Sequence, residues 1–263
     1  QKPVAARKYP LVFAHGVGQF SKTWETTPDG REGFQNIFLR RGFSTYLVDQ
    51  PRRGNAGRGT EPAAITPAFD EETWFNRFRV GIWPDYFEGV QFSRDPGALD
   101  QFFRQMTPNI GPVDFEVYSD GYAALFDKVG PAVFVTHSQG GAVGWDVPAD
   151  NIAAIVAIEP GGTPAIGSEQ YTKLLSAGIP IAIYFGDYID NGPEDIMSTS
   201  FWRQVRDGAL AFAAQYNADG GDCTVVDLPK IGITGNSHFM FQELNNKEIA
   251  DHIYQWLESR SLA

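Results

Sequence analysis

The chain carries a single cysteine, Cys223, among 263 residues. That excludes an intramolecular disulfide and a multi-cysteine zinc site, and Cys223 reads as a small buried strand residue. Histidine is also scarce, with four in the chain. No two of them stand at helical metal spacing, so no metal and no cofactor are expected. Basic runs are missing, and 32 acidic residues outnumber 21 basic ones for a net charge of −11. Nucleic-acid binding needs clustered Lys and Arg, so that partner is not expected. No apolar run approaches the ~20 residues of a membrane span. Residues 54–60 are Gly-rich but lack the Lys before Ser or Thr that a phosphate cradle requires. Their neighbours Arg52, Arg53 and Arg58 read as a solvated loop face. The chain starts at Gln1 with no charged and apolar leader, which reads as a processed or trimmed product. A secreted or periplasmic location is the expectation.

Hydrophobic residues make up 43% of the chain and aromatics 14%. Such a composition excludes global disorder, and the length suits one α/β domain with an elaboration, or two small domains. Short apolar runs alternate with helical patterns, which implies a mostly parallel sheet with helices on both faces. Strands are expected at 11–14, 43–48, 132–135, 152–158, 179–185 and 224–228. Helices are expected near 31–41, 118–129, 140–147, 168–177, 200–217 and 246–257. Residues 61–117 break the alternation with Trp74, Phe75, Phe78, Trp83, Tyr86 and further aromatics. They read as a cap inserted into a core of residues 1–60 and 118–263; the plainer alternative is aromatic core.

The stretch Thr136-His137-Ser138-Gln139-Gly140-Gly141 lies between a buried strand and a helical pattern. A sharp turn there lifts a serine hydroxyl above the sheet. Gly140 gives strand and helix room, while Thr136 stands where a glycine is usual. A serine needs a base to take its proton. His238 lies between the last strand and last helix, in a loop that opens at the carboxyl edge of the sheet. His137 should point away from the turn, and His252 should be solvated on its helix. The base needs an acid to fix its tautomer. Glu159 follows one apolar strand, and Asp187, with Asp190 beyond it, follows the next; the residues alone leave this even. Oxyanion donors are expected from the Gln139 amide and from the His15-Gly16-Val17-Gly18 loop, through the Val17 amide. His15, Gly16 and Trp83 are the expected substrate-binding residues.

At these residues the chain resembles the serine esterases of the α/β-hydrolase superfamily, and more narrowly a small bacterial esterase family of Alcaligenes type. The shared stretches are His15-Gly16, Thr23-Trp24-Glu25-Thr26-Thr27-Pro28-Asp29-Gly30-Arg31, His137-Ser138-Gln139, Glu159-Pro160-Gly161 and Gly235-Asn236-Ser237-His238 with Asn245-Asn246. The resemblance implies an α/β-hydrolase fold and a triad of Ser138, His238 and Glu159. That family carries paired cysteines where Val17-Gly18 stand here. It also has a longer N-terminal part supplying the first antiparallel strands. This sheet is therefore smaller, or lost an upstream segment, or borrows strands from another chain. The expected activity is hydrolysis of a small carboxylic ester through an acyl-enzyme. The alternatives are a lactonase on the same triad or a hydrolase-like ligand-binding protein with vestigial catalysis. An isologous homodimer is the commonest assembly for such chains.

Overall fold

In the computed structural model, residues 1–60, 62–65, 69–108, 110–111, 113–193 and 197–263 are described. Six strands form the main sheet: β1 (Leu11–Ala14), β2 (Thr45–Val48), β5 (Ala132–His137), β6 (Ile152–Ile158), β7 (Ile181–Phe185) and β8 (Cys223–Asp227). Their order is β2-β1-β5-β6-β7-β8 and every pairing is parallel. Every residue of β1, β5 and β7 is buried. A parallel strand covered on both faces has no solvated side, so its sequence is an unbroken apolar run. The edge strand β2 is half-buried over Leu47 and Val48. Phe43, expected to open it, is instead buried in the turn before it and packs on Phe38 with ring centroids 5.8 Å apart.

The helices are α1 (Phe34–Arg40), α2 (Glu71–Arg77), α3 (Pro96–Arg104), α4 (Phe115–Val129), α5 (Gln139–Gly144), α6 (Glu169–Ser176), α7 (Met197–Ala218) and α8 (Asn246–Glu258). Side-chain caps set several starts. Asp114 accepts the Val117 N–H at α4, and Ser168 accepts the Tyr171 N–H at α6, each satisfying a donor the first helical turn leaves free. α1 starts three residues later than its periodicity suggests, because Glu25 takes the Gly33 N–H into a preceding turn. In that turn Asp29 accepts from Thr27 and Arg31 at 2.5 and 2.7 Å, and Arg31 reaches Asn246 of α8 at 3.2 Å. The Thr-Pro-Asp-Gly-Arg string and the paired asparagines are thus one joint.

Between β2 and α4 lie α2, the hairpin β3 (Gly81–Ile82) and β4 (Asp85–Tyr86), and α3. Glu61, where the sequence reading placed the start of an insertion, lies outside the described residues. The segment's Phe75, Phe78, Phe92 and Phe102 are buried in the common core, whereas Trp83 is exposed. Backbone bonds stitch it to two loops at the carboxyl edge of the sheet. Thr107 donates to the Gly18 carbonyl at 2.8 Å, Gln91 to Gly235 at 2.7 Å, and His238 to Phe78 at 3.0 Å.

The sheet order creates the crevice. The chain leaves β1 toward β2, then returns to β5 on the other side of β1. Ligands in open α/β sheets bind outside the carboxyl ends of strands at such a reversal. Pairing of Ala14 with Thr136, His137 with Ile158, and Ile158 with Tyr184 levels those ends. The residues just past β1, β5, β6 and β7 therefore meet along one edge.

Candidate active site

Ser138 occupies the turn between β5 and α5 with φ 55° and ψ −121°. A non-glycine residue there is strained, and the surroundings must hold it. The Ser138 N–H donates to Ile158 at 3.1 Å, and its carbonyl accepts from Gly141 at 2.9 Å and Gly161 at 3.1 Å. Two glycines permit the turn by close approach. A Cβ on Gly16 would lie 2.9 Å from the Ser138 Cβ, and one on Gly140 2.4 Å from the His15 carbonyl oxygen. Thr136 fits because α5 yields opposite it: a Cβ on Gly144 would already be 3.1 Å from the Thr136 Cγ2.

His238 is fully buried, with its Nδ1 2.6 Å from Glu159 Oε2. A carboxylate accepts only, so Nδ1 carries the proton and Nε2 presents a bare lone pair. That Nε2 has no hydrogen-bond partner among the described residues. The ring packs against Phe78, stacked at 4.5 Å, and against Trp202, tilted at 4.4 Å. Phe78 and Trp202 also line a cavity of about 360 Å³ together with Val17, Ser138, Gln139 and Phe201. The aromatic clamp on the imidazole and the serine thus share one wall.

Glu159 directly follows β6, with φ 40° and no exposure. Its Oε1 accepts from the Gly186 N–H at 2.8 Å and from the Arg79 guanidinium. Burial pushes this carboxyl up, but the Arg79 charge and the bonds from His238 and Arg79 outweigh it and hold it well below the usual carboxylate range. His238 is lowered, first by burial, against the upward pull of Glu159. Asp187 is not at the imidazole. Its two oxygens accept the Tyr188 and Gly235 N–H groups at 2.7 and 2.8 Å. Asp190 pairs with Arg206 at 2.6 and 2.7 Å.

The amides of Val17 and Gln139 have no acceptor among the described residues, and both residues face the cavity. Gln139 is the first residue of α5, where helical N–H groups are unpaired. The two N–H groups are therefore free to meet an oxygen beside Ser138.

The three residues expected to bind substrate sit as follows. His15 does not line the cavity: it is fully buried, its Nδ1 bonds the Gly16 carbonyl at 2.9 Å, and its Nε2 accepts the Gln50 N–H at 3.1 Å. Burial lowers it to about 4, so it is a neutral brace for the loop. Gly16 acts by lacking a side chain against Ser138. Trp83 packs edge-on to Phe75 at 5.4 Å on the hairpin, away from the cavity wall, whose tryptophan is Trp202. Two further residues depart from their expected solvation. Arg53 is buried, over Tyr118 at 5.6 Å, and the His252 Nδ1 bonds the Tyr184 hydroxyl at 3.0 Å. Nothing in the local sequence marks Trp202, Phe78 or Arg79 as site residues. Among the described residues no cluster of His, Cys, Asp or Glu could hold a metal ion.

Residues 11–242 match the model of the Alpha/beta hydrolase family. The chain is 30% identical to a probable secreted lipase, phiG, of Fungal sp. (strain ATCC 74256), over 96% of this chain and 82% of the relative. It is similar to a bacterial esterase of known structure, with 33% identity and a TM-score of 0.85. That match covers 100% of this chain and 84% of the esterase. A monoacylglycerol lipase of Paleococcus ferrophilus shares the fold at a TM-score of 0.55 and 12% identity, over 98% of this chain and 97% of the lipase.

Proposed function

The chain belongs to the alpha/beta hydrolase family, and on that premise we propose that it is a serine hydrolase cleaving carboxylic esters through an acyl-enzyme. Ser138 is the nucleophile, His238 the general base and Glu159 the acid that orients it. The observation that carries this reading is the buried Glu159–His238 bond of 2.6 Å, which leaves a bare Nε2 on a ring whose aromatic clamp also walls the Ser138 cavity.

In this mechanism the Ser138 hydroxyl gives its proton to His238 Nε2 as Oγ bonds the acyl carbon. The carbonyl oxygen becomes an oxyanion held by the Val17 and Gln139 N–H groups. The C–O bond to the alcohol then breaks, and the imidazolium returns the proton to the leaving oxygen. Water, deprotonated by the same nitrogen, attacks the acyl-enzyme; the acid leaves and Ser138 regains its proton. The apolar walls of Phe78, Phe201, Trp202 and Ala142 favour an apolar group on the substrate. We read residues 61–117 as the cap that supplies part of those walls. Export agrees with the name of the secreted relative, and no helix among the described residues is long and apolar enough to cross a membrane.

The test is a panel of aryl esters, alkyl esters, lactones and amides run beside Ser138→Ala. Turnover of the preferred ester should fall by on the order of 10⁴-fold or more. An organophosphonate should label the wild-type protein once, at Ser138. Full turnover by the alanine variant, or no labelling of folded protein, overturns the reading.

A further inference from the structure

One partner of Glu159 comes from neither the strand ends nor the loops that carry Ser138, Glu159 and His238. Arg79 lies just after α2, in the segment between β2 and α4, with φ 61° and 1% exposure. Its guanidinium donates to Glu159 Oε1 and, through Nε, to the Asp187 carbonyl at 2.9 Å, and it sits over the Trp202 ring at 5.5 Å. Its neighbour Phe78 gives His238 both a carbonyl acceptor and a stacking face. One short stretch of chain therefore grips both the acid and the base.

We propose that Arg79 is a positioning residue whose fixed charge keeps Glu159 ionised and His238 unprotonated in the resting enzyme. The proposal rests on the roles given above to Glu159 and His238. Without Arg79, a carboxylate beside a neutral imidazole would leave one uncompensated negative charge in a fully buried pair. Burial penalises such a charge, and the least costly remedy is to bind a proton. Shared between the carboxyl and the imidazole, that proton would occupy the base before the serine could offer its own. With Arg79 present the buried group is neutral at rest. It becomes +1 only when the imidazolium forms, and the oxyanion then supplies the opposing charge.

The other groups facing the pair do not substitute. The His137 ring is 4.5 Å from His238, and burial keeps it neutral. Asp187 spends its carboxylate on two backbone N–H groups. Glu243, fully buried behind Ser237, supplies no positive charge whether protonated or not. Arg206 is committed to Asp190 and Asp227. Arginine also suits the place because its planar fork serves two acceptors and never loses its proton.

The experiment is the pH profile of kcat/KM for the wild type, Arg79→Met and Arg79→Lys, with folding checked by circular dichroism and Tm. In Arg79→Met the acid limb should move up by about one pH unit or more. The rate should fall at least ~10-fold at neutral pH and recover in part at alkaline pH, with KM little changed. Arg79→Lys keeps the charge, so its limb should stay near that of the wild type while kcat falls. A folded Met variant that loses rate equally at every pH overturns the proposal. If the Met variant does not fold, the Lys variant decides: an upward shift of its limb overturns the charge role, and an unmoved limb supports it. Organophosphonate labelling of Ser138 and the loss in Glu159→Gln are scored separately. If both hold while the limb fails to move, the Arg79 proposal falls alone and the triad stands.

Discussion

Two glutamates flanking the His238 loop are buried completely, and the protein treats them in opposite ways. Glu159 meets a guanidinium, an imidazole and one amide. Glu243 meets amides alone: the Ser237 N–H at 2.9 and 3.1 Å from its two oxygens, and the Asn236 side chain at 2.8 Å. Burial pushes Glu243 up to about 7, whereas Glu159 is held below the ordinary value. Equal burial thus produces a permanent charge at one site and a titrating group at the other, and the charge of the partner decides which. The permanent one touches the imidazole. The titrating one anchors the backbone leading to it.

The largest expected effect comes from erasing the charge at the first site. Glu159→Gln keeps an acceptor for Arg79 and Gly186 but turns an NH₂ toward His238 Nδ1. The imidazole must then carry its proton on Nε2, where it cannot accept one from Ser138. We predict a fall in kcat on the order of 10³- to 10⁴-fold with KM little changed. Arg79 loses its counter-charge as well, so stability should drop by about 3–5 kcal/mol. Steady-state kinetics and denaturant titration check the two parts. Unchanged kcat in a folded variant would remove Glu159 from the mechanism.

Much of this was readable before any coordinates. The parallel sheet follows from apolar runs, and β6 has the bounds its sequence suggests because both its faces are covered. Ser138 and His238 stood out as candidates because each lies at a strand end or loop where its chemistry has few other uses, whereas position alone left Glu159 level with Asp187 and only the family resemblance separated them. Arg79, Phe78 and Trp202 did not stand out. Their roles depend on how the segment between β2 and α4 docks on α7 and on the His238 loop, for instance through the Trp202 indole bond to the Arg77 carbonyl at 3.3 Å. No local periodicity encodes that docking. Arg53 misled for the same reason: an arginine in a Gly-rich loop looks solvated until Tyr118 and the Ile110 carbonyl close over it. His15 misled because one of its two ring partners, the Gln50 N–H, comes from far along the chain.

A second, smaller effect sharpens the contrast through pH. The folded state holds the Glu243 proton more tightly than the unfolded chain, raising its value from 4.5 to about 7. Its contribution to stability is therefore full below about 4.5 and is lost as the pH rises toward 7. The loss is on the order of 3 kcal/mol. Glu159 has the opposite sign: its depressed value adds stability above the ordinary carboxylate range, and this is lost as the pH falls through the folded value. The buried neutral histidines also gain stability with rising pH, so the readout must be a difference between proteins. In Glu243→Gln the fall specific to Glu243 should vanish, narrowing the gap to the wild type as the pH rises. Urea titrations on either side of the window measure it. Parallel curves for the two proteins would show that Glu243 does not titrate there.

The smallest effect is expected at Asp187, the carboxylate that sequence alone left level with Glu159. Its carboxylate reaches the His238 loop through the Gly235 N–H, its other oxygen closes a turn on Tyr188, and its backbone N–H, which Asn would keep, donates to the Asn236 carbonyl. Asn keeps one acceptor and places an NH₂ against the second N–H, so one part-buried hydrogen bond is lost. That costs about 1 kcal/mol of stability, with kcat reduced by less than ~10-fold. A drop as deep as that in Glu159→Gln would mean that the loop's backbone anchor matters as much as the carboxylate on the ring. The distinction drawn between touching the imidazole and holding its loop would then fail.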